Sequence, residues 1–215
     1  MTQTLPIEAR KLPRQRRAKE TVETILTATA RVLAQDGYAA ASTNRIAAVA
    51  GVSIGSIYQY FPNKDALVLA VAEDHSLAMI HLLEEGARAA VGGSVATAVR
   101  HVVHGMIAAH AIDPALHRAL VEQVLHLGMD VLRETQDRVR GLVEALLVLR
   151  ADEVGARNVP VTAFLLVATV EGVIHTALFE RPALLADPAF EDELCLLVLR
   201  YLGIAEPGER PTQVG

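Results

Sequence analysis

An all-α fold is predicted for this chain by three observations. Aromatic residues make up 4% of a sequence that is 52% hydrophobic. Its apolar content is therefore mostly Ala, Leu and Val, which suits helices more than sheets. Apolar residues also recur three and four positions apart in segment after segment, the spacing of a helix with one buried face. Finally, between Thr43 and Lys64 two very short helical patterns meet at a glycine, the local mark of a helix-turn-helix.

In chain order, residues 1–14 hold two prolines, several basic groups and no apolar period. They predict a flexible basic arm, either a tail touching phosphates diffusely or an arm reaching a minor groove. A three-helix head is expected over 15–64. Its first helix covers 16–36, with Val22, Ile25, Leu26, Thr29, Ala30, Val32 and Leu33 on one face and Gly37 at its end. Arg16, Arg17 and Lys19 lie at its start, placed for backbone phosphates. Ile46, Ala47 and Ala50 mark a second helix that stops at Gly51, the residue type best suited to a left-handed helix end. Ser53 caps a third helix, Ile54–Tyr60, which buries Ile57 and Phe61. Its other face shows Ser56, Tyr58, Gln59 and Tyr60, and a helix with such a face can enter a major groove.

Longer helices form a body over 65–204. They are expected at 65–86, 94–111, 115–151 with a break near Gly128, 161–179 and 187–202. The stretch 205–215, with two prolines and two glycines, reads as a disordered tail. Val161–Phe179 is apolar nearly all round, yet it carries Glu171, Gly172, His175 and three threonines. That mixture argues for a helix buried on both faces rather than a membrane span, so no membrane partner is expected.

Net charge is −5, but it is unevenly spread. Residues 1–65 hold nine Lys/Arg against five Asp/Glu, and residues 66–215 hold eleven against twenty. A basic head suits phosphate, and an acidic body keeps nonspecific DNA off. The single cysteine, Cys195, allows no intramolecular disulfide, reads as a small buried hydrophobe and fits a reducing cytoplasm. No signal-peptide pattern occupies the first twenty residues, so a cytoplasmic location is expected.

The pattern T-x-x-I-A-x-x-A-G-V-S-x-G-x-x-Y-x-Y-F-x-x-K-x-x-L runs unbroken from Thr43 to Leu67. Ile25-Leu26, Ala30 and Gly37-Tyr38 precede it. On these residues the chain closely resembles the TetR (tetracycline-repressor) family of bacterial regulators. The likeness is specific over residues 17–70 and rests on length and helicity beyond them. It implies a homodimer joined through the last two helices, half of an intermolecular four-helix bundle, with a ligand-binding and dimerisation domain over 65–204. It further implies a ligand-responsive repressor on a palindromic, double-stranded DNA operator, released by a small, largely apolar effector. An activator of the same fold is the alternative.

Candidate DNA contacts follow. Ser42, Thr43 and Asn44 begin the second helix, where free N–H groups and the helix dipole favour phosphate. Arg45 reaches the same strand or stays a surface charge. Ser53, Gly55 and Ser56 allow close approach at the start of the recognition helix, and Ile54 is read as a contact to a thymine methyl. Tyr58 and Tyr60 offer phenolic hydroxyls at positions the family uses for phosphate and base contacts. Gln59 bonds a base edge or is merely solvated. Lys64, at the next helix start, is the strongest single phosphate candidate. With no Arg or Lys on the recognition helix, readout is expected to spread over modest contacts and two half-sites, roughly 34–36 Å apart.

All eight histidines lie beyond residue 74. His101 and His104 share a helix face, but His110 lies about half a turn round from His101. No H-E-x-x-H or Cys/His spacing and no nucleophile–base pair occurs, so neither enzyme activity, metal nor cofactor is expected. Residues expected on inner faces around an effector pocket are His104, Met106, Met129, Phe164, Glu171 and His175. Glu171 and His175, four apart, either pair with each other or bond a ligand; plain core packing is the simpler reading for all six.

Overall fold

The computed structural model describes residues 16–127, 131–155 and 158–204, and every regular element among them is helical. The expected arm at 1–14 and tail at 205–215 lie outside the described residues. The elements are α1 (Arg16–Ala40), α2 (Thr43–Ala50), α3 (Ile54–Tyr60), α4 (Lys64–Ala89), α5 (Val95–His110), α6 (Pro114–Leu127), α7 (Val131–Leu149), α8 (Val159–Glu180) and α9 (Pro188–Leu202). Short single turns of tighter helix follow α4 and α8.

Packing divides the chain into two units. The head unit takes α1, α2, α3, α4 as far as Leu77, and α6; the body unit takes α4 from Ala78, α5, α7, α8 and α9. The head therefore packs as more than the expected 15–64. Leu67, Val68, Val71 and Ala72 of α4, with Leu116 and Leu120 of α6, are buried in its core beside Ile25, Val32, Leu33, Ile46, Ile57 and Phe61. The physical reason is size. Two helices of eight and seven residues cannot cover the apolar face of a helix as long as α1.

Local chemistry sets each head element. Gly37, with φ 72°, breaks the α1 helix as its sequence position suggests, and the chain continues as one further turn to Ala40. Ser42 accepts a hydrogen bond from the Arg45 N–H at 3.1 Å and so caps α2. Gly51 ends α2 at φ 66°, ψ 28°, a conformation that disfavours side chains with a Cβ. Ser53 accepts from the Ser56 N–H at 3.1 Å to cap α3, and Asn63 caps α4 by accepting from the Ala66 N–H at 2.8 Å.

In the body, Val103, Met106, Val170, Ile174, Leu194, Cys195, Val198 and Leu199 form a continuous apolar core. The Cys195 thiol is buried there and forms no disulfide. Glycine permits one tight helix crossing: a Cβ on Gly86 of α4 would lie 2.8 Å from the His101 carbonyl oxygen of α5. Asn158 caps α8, Asp187 caps α9, and Gly203 ends α9 at φ 74°. Arg100 of α5 meets Asp192 of α9 at 2.7 Å.

Among the described residues, two helices, α4 and α8, are long and apolar enough to cross a membrane by length and composition alone. In α8 the buried residues face the body core, as expected for one of its two faces. The other face is exposed and still apolar, with Val161, Phe164, Leu165 and Phe179 on it.

Candidate nucleic-acid interface and body cavities

The helix-turn-helix is held by hydrogen bonds that its own residues make. Val52 N–H donates to the Ala47 carbonyl at 3.1 Å, closing the turn, and the Ser53 and Ser56 hydroxyls lie 2.8 Å apart at the start of α3. Ile57 and Phe61 are buried, which leaves Ser53, Ile54, Gly55, Tyr58 and Gln59 on the exposed face of α3. Tyr58 is 44% exposed, and its hydroxyl lies 3.3 Å from that of Thr43, tying α3 to the start of α2. Ser42, Asn44 and Arg45 are exposed, and Thr43 and Ser56 are half-buried.

One expectation for this surface needs correction, and two of the basic candidates have local partners. Tyr60 does not share the exposed face, because its ring is 7% exposed and belongs to the head core. A heptapeptide helix turns its last residue back towards the side that buries Ile57, three positions earlier. Lys64 is not a free cation. Its Nζ donates to the Tyr38 carbonyl at 3.0 Å and sits 3.6 Å from the Tyr38 ring centroid. Arg45 is paired with Asp36, Nε to Oδ2 at 3.2 Å, across the end of α1.

Tyr38 organises that corner. Its hydroxyl donates to Asp65 Oδ1 at 2.5 Å, while its carbonyl and ring hold Lys64. Burial, then the hydrogen bond to Asp65 and that carboxylate's charge, push the phenol up to about 12. Tyr38 is therefore a permanent neutral donor that locks the start of α4 onto the end of α1.

In the body, α5, α7, α8 and α9 enclose a cavity of about 80 Å³. Val99, Val103, Met106, Leu146, Val170 and Val198 are among its lining, and Arg150 is the only charged residue in it. Of the residues expected around an effector pocket, Met106 is in this lining. A separate cleft between α7 and α8 brings Gln136, Arg140, Phe164, Glu171 and His175 together. Gln136 Nε2 stands 3.5 Å from both Glu171 carboxylate oxygens, and the Arg140 guanidinium lies 5.7 Å from the Phe164 ring centroid. Burial holds the His175 imidazole below its ordinary value, and the nearby Glu171 charge opposes the shift. The ring of buried His110 packs edge-on against His175, centroids 5.0 Å apart.

His104 lines neither space. Its side chain is 68% exposed and its Nδ1 lies 2.9 Å from Glu191 Oε2 on α9, so it is a surface partner of that helix. Met129 lies outside the described residues.

The head matches the family model described as bacterial regulatory proteins, tetR family, over residues 25–71. The body matches the tetracyclin repressor-like C-terminal domain over residues 94–202, half of the chain. The chain belongs to the TetR family. It is a DNA-binding transcriptional regulator by that membership. No curated protein sequence matches it significantly. Solved structures are similar along nearly the whole length. SmeT, the repressor of the Stenotrophomonas maltophilia multidrug efflux pump SmeDEF, is 25% identical with a TM-score of 0.66, over 90% of this chain and 97% of that one. A TetR-like regulator from Rhodococcus sp. RHA1 is 22% identical with a TM-score of 0.67, over 90% and 99% of the two chains. A second tetR-family protein from Rhodococcus RHA1 is 17% identical with a TM-score of 0.67, over 87% and 99%.

Sequence reading of this TetR-family chain missed Arg150, Gln136 and Arg140. Arg150 follows the run Leu146–Leu149, a cation at the end of an aliphatic helix, and that break in pattern was a usable signal. Gln136 and Arg140 sit in a polar stretch of α7 where nothing local separates them from solvated neighbours.

Proposed function

We propose that the protein is a homodimeric repressor that holds a palindromic operator through the two copies of α3 and is released by a small apolar effector. The observation that carries this reading is the α3 surface. Ile54, Gly55, Tyr58 and Gln59 stand exposed on a helix capped at its start and anchored by Ile57 and Phe61 at its back. Ile54 supplies the thymine-methyl contact, Tyr58 and Gln59 reach phosphate and base edges, and Ser42, Thr43, Asn44, Ser53 and Ser56 bind the flanking phosphates. Arg45 joins them by exchanging Asp36 for phosphate. Lys64 and Tyr60 act by placing α3 and α4.

Dimerisation through α8 and α9 is supported by their unpartnered apolar faces, with Val161, Phe164 and Leu165 on one and Leu197 and Tyr201 on the other. Effector binding is supported by the aliphatic cavity in the body. The efflux-pump repressor SmeT, similar over nearly the whole length, favours repression. Effector binding acts by favouring the state with lower affinity for DNA.

Genome-fragment selection with the purified protein, followed by footprinting, tests this. A two-fold symmetric footprint upstream of a gene whose transcription rises when the protein is deleted is the expected result. Transcription that falls on deletion indicates an activator, and an asymmetric single half-site footprint contradicts the dimer.

A further inference from the structure

We propose that Asp36 sets the specificity of the head for its operator by keeping Arg45 neutralised on any other DNA. This rests on the reading above, in which α3 and the start of α2 bind the duplex. Arg45 lies in the first turn of α2 with Thr43, whose hydroxyl stands 3.3 Å from that of Tyr58 on α3. It therefore supplies a cation beside the recognition helix, which has no Arg or Lys of its own. The Arg45 Nε donates to Asp36 Oδ2 at 3.2 Å. Among the described residues, no other carboxylate bonds to the first turn of α2 or of α3.

Stability does not account for this carboxylate. Asp36 ends the regular part of α1, immediately before the break at Gly37, and a negative charge at a helix C-terminus is unfavourable to that helix. The pair is also open to solvent, with the Arg45 side chain 51% and the Asp36 side chain 31% exposed. An ion pair this exposed contributes little, and the same weakness lets a phosphate replace the carboxylate. Arginine holds phosphate through two parallel N–H groups, whereas the bond to Asp36 uses Nε alone. The closed pair carries no net charge, so it neutralises no phosphate and releases no counterion when DNA approaches out of register. Only where α3 is seated on its bases does a backbone phosphate come to rest at the first turn of α2. There Arg45 exchanges Asp36 for it. Asp36 thus withholds one cation from random sequence and yields it to the operator.

Fluorescence anisotropy of the full chain is measured across a salt series on two duplexes of equal length. One is a genome-selected operator fragment and the other is its scrambled sequence. On the scrambled duplex, Asp36→Asn is expected to bind about fivefold tighter than the wild type, the upper end for an exposed charge pair. Its slope of log affinity against log salt should steepen there by about 0.9, one added phosphate contact. On the operator the slope should stay the same and the affinity rise by less than about twofold, so the specificity ratio falls. The double variant Asp36→Asn with Arg45→Gln is neutral, like the closed pair. It should match the wild type on the scrambled duplex and lose one contact's slope on the operator. Asp36→Glu, which keeps the carboxylate, should behave as the wild type on both. Equal gains and equal slope changes for Asp36→Asn on the two duplexes would mean general repulsion and overturn the proposal. No change on the scrambled duplex would overturn it too. Tyr58→Ala is the control for the recognition surface, and an unchanged operator affinity in that variant contradicts the α3 reading alone.

Discussion

The head and the body use polar groups in opposite ways. In the head, serine and asparagine hydroxyls and amides sit at helix starts, where Ser42, Ser53 and Asn63 each satisfy a backbone N–H. Their positions are dictated by the local chain, and the surface they leave is polar, small and fixed. In the body, one cavity is lined by aliphatic side chains from four helices, and its one charged lining residue comes from the end of α7. A surface that must meet the same ligand geometry each time is built from capped, short-range structure. An aliphatic space is built from long-range packing that leaves room.

That contrast can be broken or sharpened by substitution. The largest effect is expected from Phe61→Ala, which empties a fully buried site behind α3. A loss of about 3–5 kcal/mol in urea unfolding is expected, with DNA affinity falling alongside it; a small loss would mean the head core is as loosely packed as the cavity. Next is Gly86→Ala in the body, where the new Cβ meets the His101 carbonyl oxygen and forces α4 and α5 apart. Thermal unfolding should report a loss of about 1–3 kcal/mol. Ser53→Ala is smaller, about 1 kcal/mol from a lost cap, but it should weaken DNA binding more than overall stability, since α3 is only seven residues long. Smallest is Asp36→Asn, which frees Arg45. An exposed pair of this kind contributes less than about 1 kcal/mol, so stability should barely move in chemical denaturation.

Acid offers a further distinction within the head. His75 and His117 are both buried, Nε2 to Nδ1 at 3.0 Å. Burial holds the His75 imidazole below its ordinary value of 6.5, with the Asp113 and Asp74 carboxylates opposing. The unfolded chain therefore takes up a proton first as pH falls. Stability is full above pH 6.5 and is lost below it, until the folded imidazole is also protonated. Urea midpoints measured from pH 8 to 5 should fall in the wild type and fall less in His75→Gln; parallel curves would contradict the sign.

Legibility in the sequence divides along the same line. The motif from Thr43 to Leu67 records backbone requirements, so the turn at Gly51, the cap at Ser53, and the buried Ile57 and Phe61 were all readable. Tyr60 was misread, and the partner of Lys64 missed, because a motif gives residue type at a position and not which neighbour claims the side chain. Tyr38, 26 residues before Lys64, is that neighbour. The enlarged head core was hidden for the same reason, since Leu116 and Leu120 reach it from a helix far along the chain. In the body, helix limits were readable from Gly, Pro and Asp signals. The cavity was not, because an absence of atoms among valines from four helices leaves no local trace. His104 carries the same lesson, for helical spacing alone did not reveal Glu191 on α9.

The central claim is that the exposed face of α3 binds DNA. Its most direct test is fluorescence anisotropy of a selected operator fragment across a salt series, with the wild type, Tyr58→Ala and Gln59→Ala. The expected result is affinity that falls steeply with salt in the wild type, as counterion release requires, and is at least tenfold weaker in Tyr58→Ala at every salt with an unchanged melting curve. Equal affinity and equal salt slope in all three proteins would contradict the claim and move the interface elsewhere on the molecule.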